Sequence, residues 1–278
     1  MDEVEYIYND NDQEPQPREE YFSVTGCYDK ALAKAREENP RRQDVFHCSD
    51  MGSSFHHRYL RRLGIPEKQV EPRIQRVFET GNAMHDNIQR HLEAMGVVVC
   101  KEGIVGNDFI EGHFDLLVAD PALGNVYNTG ECLTLVDIKT VHSGKFTHMK
   151  SRGFEDAHYR AQIHSYCYFL RKHGYTDPVT GEKHGPFPGL SDCRILYVSK
   201  DDSRWMEIGV PYTERSEIAI TKELNQLKEY WDKQQLPPSD PMQEWERKYC
   251  PFPTVCPCNQ AARDKEEERK IKKAQKAI

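Results

Sequence analysis

Long hydrophobic runs are absent from this chain of 278 residues, and none approaches the roughly 18–20 residues that cross a bilayer. Residues 1–20 are acidic and have no apolar stretch, so they resemble neither a secretory signal nor a basic transit peptide. Hydrophobic residues make up only 37% of the chain, but 10% of it is aromatic, which favours a real core with polar additions. We therefore expect a cytoplasmic protein that has no membrane partner.

The chain also lacks an excess of basic residues: acidic residues outnumber them, and the formal net charge is −7. Residues 1–20 contain eight acidic residues and Arg18 as the one base, and eight minus one accounts for the whole imbalance. The rest of the chain is close to neutral, so a local basic groove for a nucleic acid is not excluded. The acidic composition, with Pro15 and Pro17, predicts that residues 1–20 form a disordered tail.

A disulfide framework is not indicated, because the nine cysteines are an odd number and no signal peptide precedes them. Most of the cysteines are scattered, and we expect them to be small apolar fillers of the core. Three are crowded near the end of the chain, and this crowding indicates metal chemistry: Cys250, Cys256 and Cys258.

The order of the predicted elements is helices, three strands, a helix, two strands and a helix. Consecutive strands joined by turns, with helices segregated between them, predict an α/β fold with a small mixed sheet flanked by helices. We expect residues 21–260 to form one domain with a C-terminal cysteine cluster. Residues 261–278 are rich in charge and predict a helical tail. A second helix is predicted to begin near Ser49.

One predicted strand, LTLVDIKTV at residues 133–141, contains two charged residues between its apolar ones. Asp137 and Lys139 are two residues apart, so they point to the same face. A charge on a largely buried strand is costly unless it is paired or binds a metal. This stretch alone leaves two interpretations open, an edge strand whose Asp–Lys pair faces water and a catalytic site.

The preceding predicted strand contains Asp115 in GHFD, and pairing of the two strands would bring Asp115 close to Asp137. Two carboxylates about 4 Å apart repel by about 4 kcal/mol at an effective dielectric constant near 20. A divalent cation removes this repulsion. Oxygen ligands together with one imidazole, such as His85 in GNAMH, suit magnesium or manganese. Gln162 and Tyr166 are four residues apart and share one face of a later predicted helix.

GNAMH, GHFD, DIK and QIHSY, in this order, resemble the motifs of the PD-(D/E)xK nuclease superfamily. The resemblance is to the RecB-type branch, which includes the CRISPR-associated and phage-encoded exonucleases, and it covers about residues 45–258. It implies a restriction-endonuclease-like core. It also implies that a metal ion is bound by His85, Asp115, Asp137 and the main-chain carbonyl of Ile138. Asp115 and Asp137 would also be catalytic residues, and Lys139 would orient or deprotonate water or stabilise charge on the phosphate. Gln162 and Tyr166, the remaining catalytic residues that it implies, would position DNA and support the site.

The function that this resemblance implies is hydrolysis of DNA by a magnesium- or manganese-dependent exonuclease, of a kind found in phages. Such an enzyme would act on single strands or DNA ends in recombination, repair or replication, with recombination or replication proteins as further partners. Two alternatives stay open: a DNA-binding protein that has kept the fold without the activity, and an endonuclease.

A segment rich in basic residues follows the proposed site directly, between residues 141 and 162. A charged run of this kind is usually a solvated face, but its position makes phosphate contacts the alternative. Phe146, Phe154 and Tyr159 would either stack on unpaired bases or pack in the core. The candidate DNA contacts are Lys145, Lys150, Arg152, Arg160 and, on a later strand, Lys200.

KYCPFPTVCPC, at residues 248–258, resembles the C-terminal cysteine cluster of the iron–sulfur members of this branch. Arg247 and Ser54 stand where two of the family's four ligands are expected. Three interpretations stay open: a four-iron cluster, a zinc site and a metal-free Pro-rich knot. The cluster would use Cys48, Cys250, Cys256 and Cys258, and the zinc site would use three of these with His56 or His57.

Overall fold

The computed structural model describes residues 23–120, 129–152, 156–239 and 241–260. The chain divides into two compact units, residues 1–40 and 41–278, whereas the sequence analysis began its domain at residue 21. In the first unit, helix α1 spans Val24–Glu38, and the side chain of Ser23 caps it by accepting a hydrogen bond from the N–H of Gly26. The predicted disordered and helical tails lie outside the described residues.

The second unit contains the sheet and the remaining helices. Its helices are α2 (Phe55–Arg62), α3 (Pro72–Ala94), α4 (Ser143–Arg152), α5 (Ala157–His173), α6 (Glu214–Asp232) and α7 (Glu244–Lys248). Its strands are β1 (Phe46–His47), β2 (Val98–Gly106), β3 (Ile110–Ala119), β4 (Leu133–Val141), β5 (Tyr175–Thr176), β6 (Lys183–His184), β7 (Asp192–Ser199) and β8 (Trp205–Gly209). Among the described helices, none combines the length and the apolar character of a membrane span.

The strands form one mixed sheet in the order β6-β5-β2-β3-β4-β7-β8, and β1 pairs with β3 outside this path. The β1–β3 and β4–β7 pairs are parallel, and the other pairs are antiparallel. This arrangement confirms the predicted α/β class. It also places β4 between two other strands, so the interpretation of this strand as a water-facing edge is wrong.

Alternate residues of the central strands pack into two separate apolar clusters, one on each face of the sheet. Leu117 and Leu135 belong to the main core, which also contains the inner side chains of α5. Leu116 and Ile138 belong to a smaller cluster with Ile88 of α3. The sheet is therefore covered by α5 on one face and by α3 on the other.

Two elements between residues 48 and 152 differ from the sequence prediction. A short 3-10 turn covers Cys48–Asp50, and α2 begins only at Phe55, because the loop between them passes through Gly52 with a φ of +78°. The basic segment after β4, for which no helix was predicted, forms α4. Phe146 and Met149 are buried on its inner side, so helical spacing was present but hidden by the surrounding charges.

Gly112 of β3 allows close packing between the 3-10 turn and α5. A Cβ atom at this position would lie 2.6 Å from Cβ of Cys48 and 2.6 Å from Cε1 of Tyr166. We expect Gly112→Ala to lower the free energy of unfolding by about 1–3 kcal/mol because of overpacking. Gly209→Ala, where a Cβ atom meets nothing within 4 Å, should change it by less than about 0.5 kcal/mol. Urea unfolding of both variants measures the difference, and equal stabilities would contradict this packing.

Candidate active site

The site lies where β3 and β4 stop pairing. Their antiparallel register runs from Ala119 opposite Leu133 to Leu116 opposite Val136, and it ends there. Asp115 and Asp137 are the next residues of the two strands. Beyond the last pair, the N–H of Ile138 donates a hydrogen bond to Oδ2 of Asp115 at 2.5 Å. The separation of the strands therefore places two carboxylates opposite each other.

Strand β3 also changes its orientation at Asp115. Phe114 packs in the main core, whereas Leu116, two residues later, packs in the cluster beside α3. A regular strand would direct these two side chains to the same face. The irregularity brings Asp115 toward α3, where Nδ1 of His85 lies 3.7 Å from Oδ2 of Asp115.

Asp137 and Lys139 share a face of β4, as their spacing predicts. Nζ of Lys139 lies 2.7 Å from Oδ2 of Asp137, and the Asp137 carboxylate is almost completely buried. Apart from Lys139, no described residue donates a hydrogen bond to either carboxylate oxygen of Asp137. A buried carboxylate with unused lone pairs is costly to keep in an apolar interior and is suited to bind a cation.

The electrostatic field of the site sets the protonation of its members. Burial, followed by the charge of Asp137, raises the pKa of Asp115 well above its usual range. Burial alone would lower the pKa of Lys139, but the charges of Asp137 and Asp115 outweigh burial and raise it. Burial and the charge of Lys139 lower the pKa of His85. At neutral pH, Lys139 is therefore a cation and His85 is a neutral imidazole with a lone pair to donate.

The donor set is of the right kind for a hard divalent cation, and its present spacing is too wide for one. Ligand atoms bound to one magnesium ion at about 2.1 Å can lie at most about 4.2 Å apart. His85 and Asp115 meet this limit. In the described residues, however, His85, Asp115 and Asp137 are not a set whose ligand atoms all lie within 4.8 Å of one another. A shared ion therefore requires these side chains to move closer together.

Gln162 and Tyr166 lie together on the buried side of α5. Nε2 of Gln162 donates a hydrogen bond to the hydroxyl of Tyr166 at 2.8 Å, and both side chains are buried. Burial and the charge of Asp137 raise the pKa of Tyr166 well above its usual range, so the phenol stays neutral. Their burial fits the expected support of the site better than a direct contact with DNA.

Two further residues at the site were not identified from the sequence. Gln89, one helical turn after His85 on α3, is buried, and its Nε2 donates to Oε1 of Glu102 at 2.6 Å and to the main-chain carbonyl of Asp115 at 3.2 Å. Glu102 has a φ of +52° within β2, and its charge contributes to the raised pKa of Asp115. The one sequence signal for Gln89 is its spacing of four residues from His85, which places both side chains on the same face of α3.

Lys200, a candidate DNA contact, is used within the protein. Its Nζ donates a hydrogen bond to the carbonyl of Val77 on α3 at 2.8 Å. The same Nζ lies 3.4 Å from the position of a Cβ atom on Gly81, which is the glycine of the GNAMH motif. Lys200 thus holds α3 against the end of β7, and its contact with DNA stays a prediction.

The other candidate DNA contacts lie on or beside α4 and α5. The side chains of Lys150 and Arg160 are exposed, and Lys145 is partly exposed with its Nζ 4.0 Å from Asp156. The side chain of Arg152 lies outside the described part of the chain. Among the aromatic candidates, Phe154 also lies outside it. Phe146 packs in the core, and Tyr159 lies under two lysines, with Nζ of Lys139 at 5.0 Å and Nζ of Lys145 at 5.1 Å from its ring centroid.

A second group of metal-ligating side chains joins α2 to the C-terminal segment. His57, Cys250, Cys256 and Cys258 place one ligand atom each within 4.8 Å of one another, and this group is compatible with metal binding. Cys48, which the sequence analysis grouped with the three cysteines, lies instead in the main core beside Gly112. Cys48 precedes α2 in the chain, but α2 begins only at Phe55, and Cys48 packs in the main core rather than beside this helix.

The chain resembles several solved structures at low sequence identity. The protein in the crystal structure of SSO0001 is 15% identical in sequence to this chain. The two structures superpose with a TM-score of 0.49, and the match covers 85% of this chain and 96% of that one. An alkaline exonuclease from Laribacter hongkongensis is 14% identical with a TM-score of 0.43, over 74% and 97%. A phage-related exonuclease from Haemophilus somnus 129PT is 12% identical with a TM-score of 0.40, over 68% and 94%. No protein-family model matches the chain, and the search of curated proteins found no significant match.

Proposed function

We propose that this protein is a metal-dependent nuclease of the PD-(D/E)xK superfamily that hydrolyses phosphodiester bonds in DNA. The supporting observation is the position of Asp115 and Asp137 on neighbouring strands directly after the last β3–β4 pair, with His85 beside the first and Lys139 beside the second. Each of these four side chains comes from a motif that resembles the superfamily. The buried Asp137 carboxylate has Lys139 as its partner and keeps unused lone pairs for a cation, which favours the nuclease over a protein that only binds DNA.

The residues that would hold magnesium or manganese are His85, Asp115 and Asp137, with the main-chain carbonyl of Ile138. When bound, the ion lowers the pKa of a water ligand and neutralises charge on the phosphate. His85 supplies a neutral nitrogen, because burial lowers its pKa. The two carboxylates would supply negative charge that the cation balances. Because burial raises the pKa of Asp115, the ion would compete with a proton there.

Lys139 would stabilise negative charge on the phosphate that is cleaved. Its raised pKa keeps it protonated, so the ammonium is better suited to charge stabilisation than to removal of a proton from water. Its pairing with Asp137 fixes its position at the site. Of the roles that the family resemblance implies for this lysine, stabilisation of the phosphate is the one we propose.

The substrate strand would approach along α4 and the start of α5. Lys145 shares the ring of Tyr159 with Lys139, so a phosphate bound near Lys145 lies close to the catalytic lysine. Lys150 and Arg160 provide exposed positive charge on the same two helices. We propose action on single strands or DNA ends in recombination, repair or replication, as the family resemblance implies. Endonuclease activity and DNA binding without cleavage are the competing functions.

Asp137→Asn should abolish cleavage of end-labelled DNA in the presence of manganese, with a loss of about 10³-fold or more, because the variant removes a charge that the cation needs. Glu207→Gln is the matched control, since Glu207 is an exposed acid on β8 that pairs with Arg194. It should keep full activity. Equal activity of Asp137→Asn and the wild type would refute the proposed site.

The comparison of linear with covalently closed circular single-stranded DNA tests the mode of cleavage. An exonuclease should degrade the linear substrate to short products and leave the circle intact, because the circle offers no end. Gel electrophoresis of both substrates measures the outcome. Cleavage of the circle that disappears in Asp137→Asn would instead assign an endonuclease.

Manganese should stabilise the protein more at about pH 8 than at about pH 6, because the ion competes with a proton on Asp115. Without metal, the folded protein binds a proton on Asp115 more tightly than the unfolded chain does. The free energy of unfolding therefore falls as the pH rises from the usual pKa of this carboxyl to its raised pKa in the folded protein. The ion removes this loss of stability. Scanning fluorimetry at both pH values measures the gap in Tm between the protein with manganese and the protein without it. A gap that is equal at the two pH values, or larger at the lower one, would contradict this linkage.

A further inference from the structure

The group formed by His57, Cys250, Cys256 and Cys258 has dimensions that identify its ligand. Nε2 of His57 lies 3.3 Å from Sγ of Cys250 and 3.6 Å from Sγ of Cys256. The Sγ atoms of Cys256 and Cys258 are 3.1 Å apart. All four ligand atoms lie within 4.8 Å of one another, so they surround one small volume.

A four-iron cluster, which the family resemblance implies, does not fit this group. Such a cluster carries its protein ligands on four separate metal ions and therefore spreads them more widely than the ligands of one ion. The fourth ligand here is an imidazole, and the fourth cysteine that the sequence offered, Cys48, lies in the main core. Spacing and ligand type both disagree with a cluster at this place.

A single tetrahedral zinc ion fits the same atoms. With bonds of about 2.3 Å to sulfur and 2.0–2.1 Å to nitrogen, tetrahedral geometry places the ligand atoms about 3.6–3.8 Å apart. The distances from His57 to Cys250 and Cys256 are close to this spacing. The Sγ atoms of Cys256 and Cys258, at 3.1 Å, are closer than this spacing and would move apart when the ion binds. Three thiolates with one imidazole are also a common ligand set of structural zinc.

His57 rather than its neighbour His56 is placed to bind. Nδ1 of His56 contacts the main-chain carbonyl of Pro237 at 2.7 Å, and His56 is not part of the group. His57 lies against the ring of Phe252, with 5.9 Å between ring centroids, and so faces the C-terminal segment. The sequence left this choice between the two histidines open.

We propose that His57, Cys250, Cys256 and Cys258 bind one zinc ion, which fastens the C-terminal segment to α2. The site has a structural role because its four ligands close the tetrahedron and leave no position for a substrate. His57 and Cys250 are 193 residues apart, so the ion closes a long loop of the chain.

The surroundings of the four ligands are built to hold this segment in place. Leu60, Met242 and Phe252 form a small apolar cluster with Cys250 and Cys256, separate from the main core. The N–H of Lys68 donates to the carbonyl of Pro251 at 2.7 Å. A cluster this small buries little apolar surface, and a metal ion supplies stability that such a core lacks.

Elemental analysis of the full chain, purified anaerobically without added metal, tests the proposal directly. We expect about one zinc and no stoichiometric iron or sulfide per chain. His57→Ala and Cys256→Ser should lose the zinc. The matched controls His91→Ala and Cys27→Ser change an exposed histidine and an exposed cysteine outside the group, and they should keep it. Iron with sulfide, or a metal-free protein, would overturn the proposal.

A second measurement does not depend on the folding of the variants. Removal of zinc from the wild type with a strong chelator should lower Tm by at least about 5 °C, and added zinc should restore it. Cobalt in place of zinc should give the visible absorption of a tetrahedral ion with thiolate ligands. An unchanged Tm, or no such absorption, would overturn the proposal. None of these readouts depends on DNA cleavage, so they separate this proposal from the nuclease function.

Discussion

The repulsion between Asp115 and Asp137 is the constraint on which the rest of the candidate active site depends. The end of the β3–β4 pairing at Leu116 and Val136 leaves these two carboxylates opposite each other in a largely buried place. Lys139 offsets part of the charge on one of them, and Asp115 responds by binding a proton more tightly. A divalent cation would remove the remaining cost, which links the stability of the site to its proposed chemistry.

The helices that surround the sheet hold this arrangement in place. On one face, α3 brings His85 and Gln89, which contact Asp115 through its side chain and its main chain. Lys200 binds the carbonyl of Val77 and fastens the same helix. On the other face, α5 supplies two buried polar side chains that fill the space beside β4. The site is thus fixed by packing from both sides, as the proposed chemistry would require.

The α/β class could be predicted from the sequence, because strand alternation and helical spacing act locally. The candidate site residues came from four motifs that resemble a known family, and their roles stay predictions. The sequence did not predict the later start of α2, which depends on the positive φ of Gly52 and its packing against α5. Cys48 was misplaced for the same reason. The role of Lys200 and the contribution of Glu102 also depend on contacts between distant parts of the chain, and no local pattern reveals such contacts.

The central claim is that Asp115 and Asp137 share a metal ion. The most direct measurement is anomalous diffraction at the manganese edge from crystals soaked in manganese. The account predicts a peak between the two carboxylates, within coordination distance of His85 and of the carbonyl of Ile138, and its loss in Asp137→Asn. An ordered site without a peak at saturating manganese, or a peak that contacts neither carboxylate, would contradict the account.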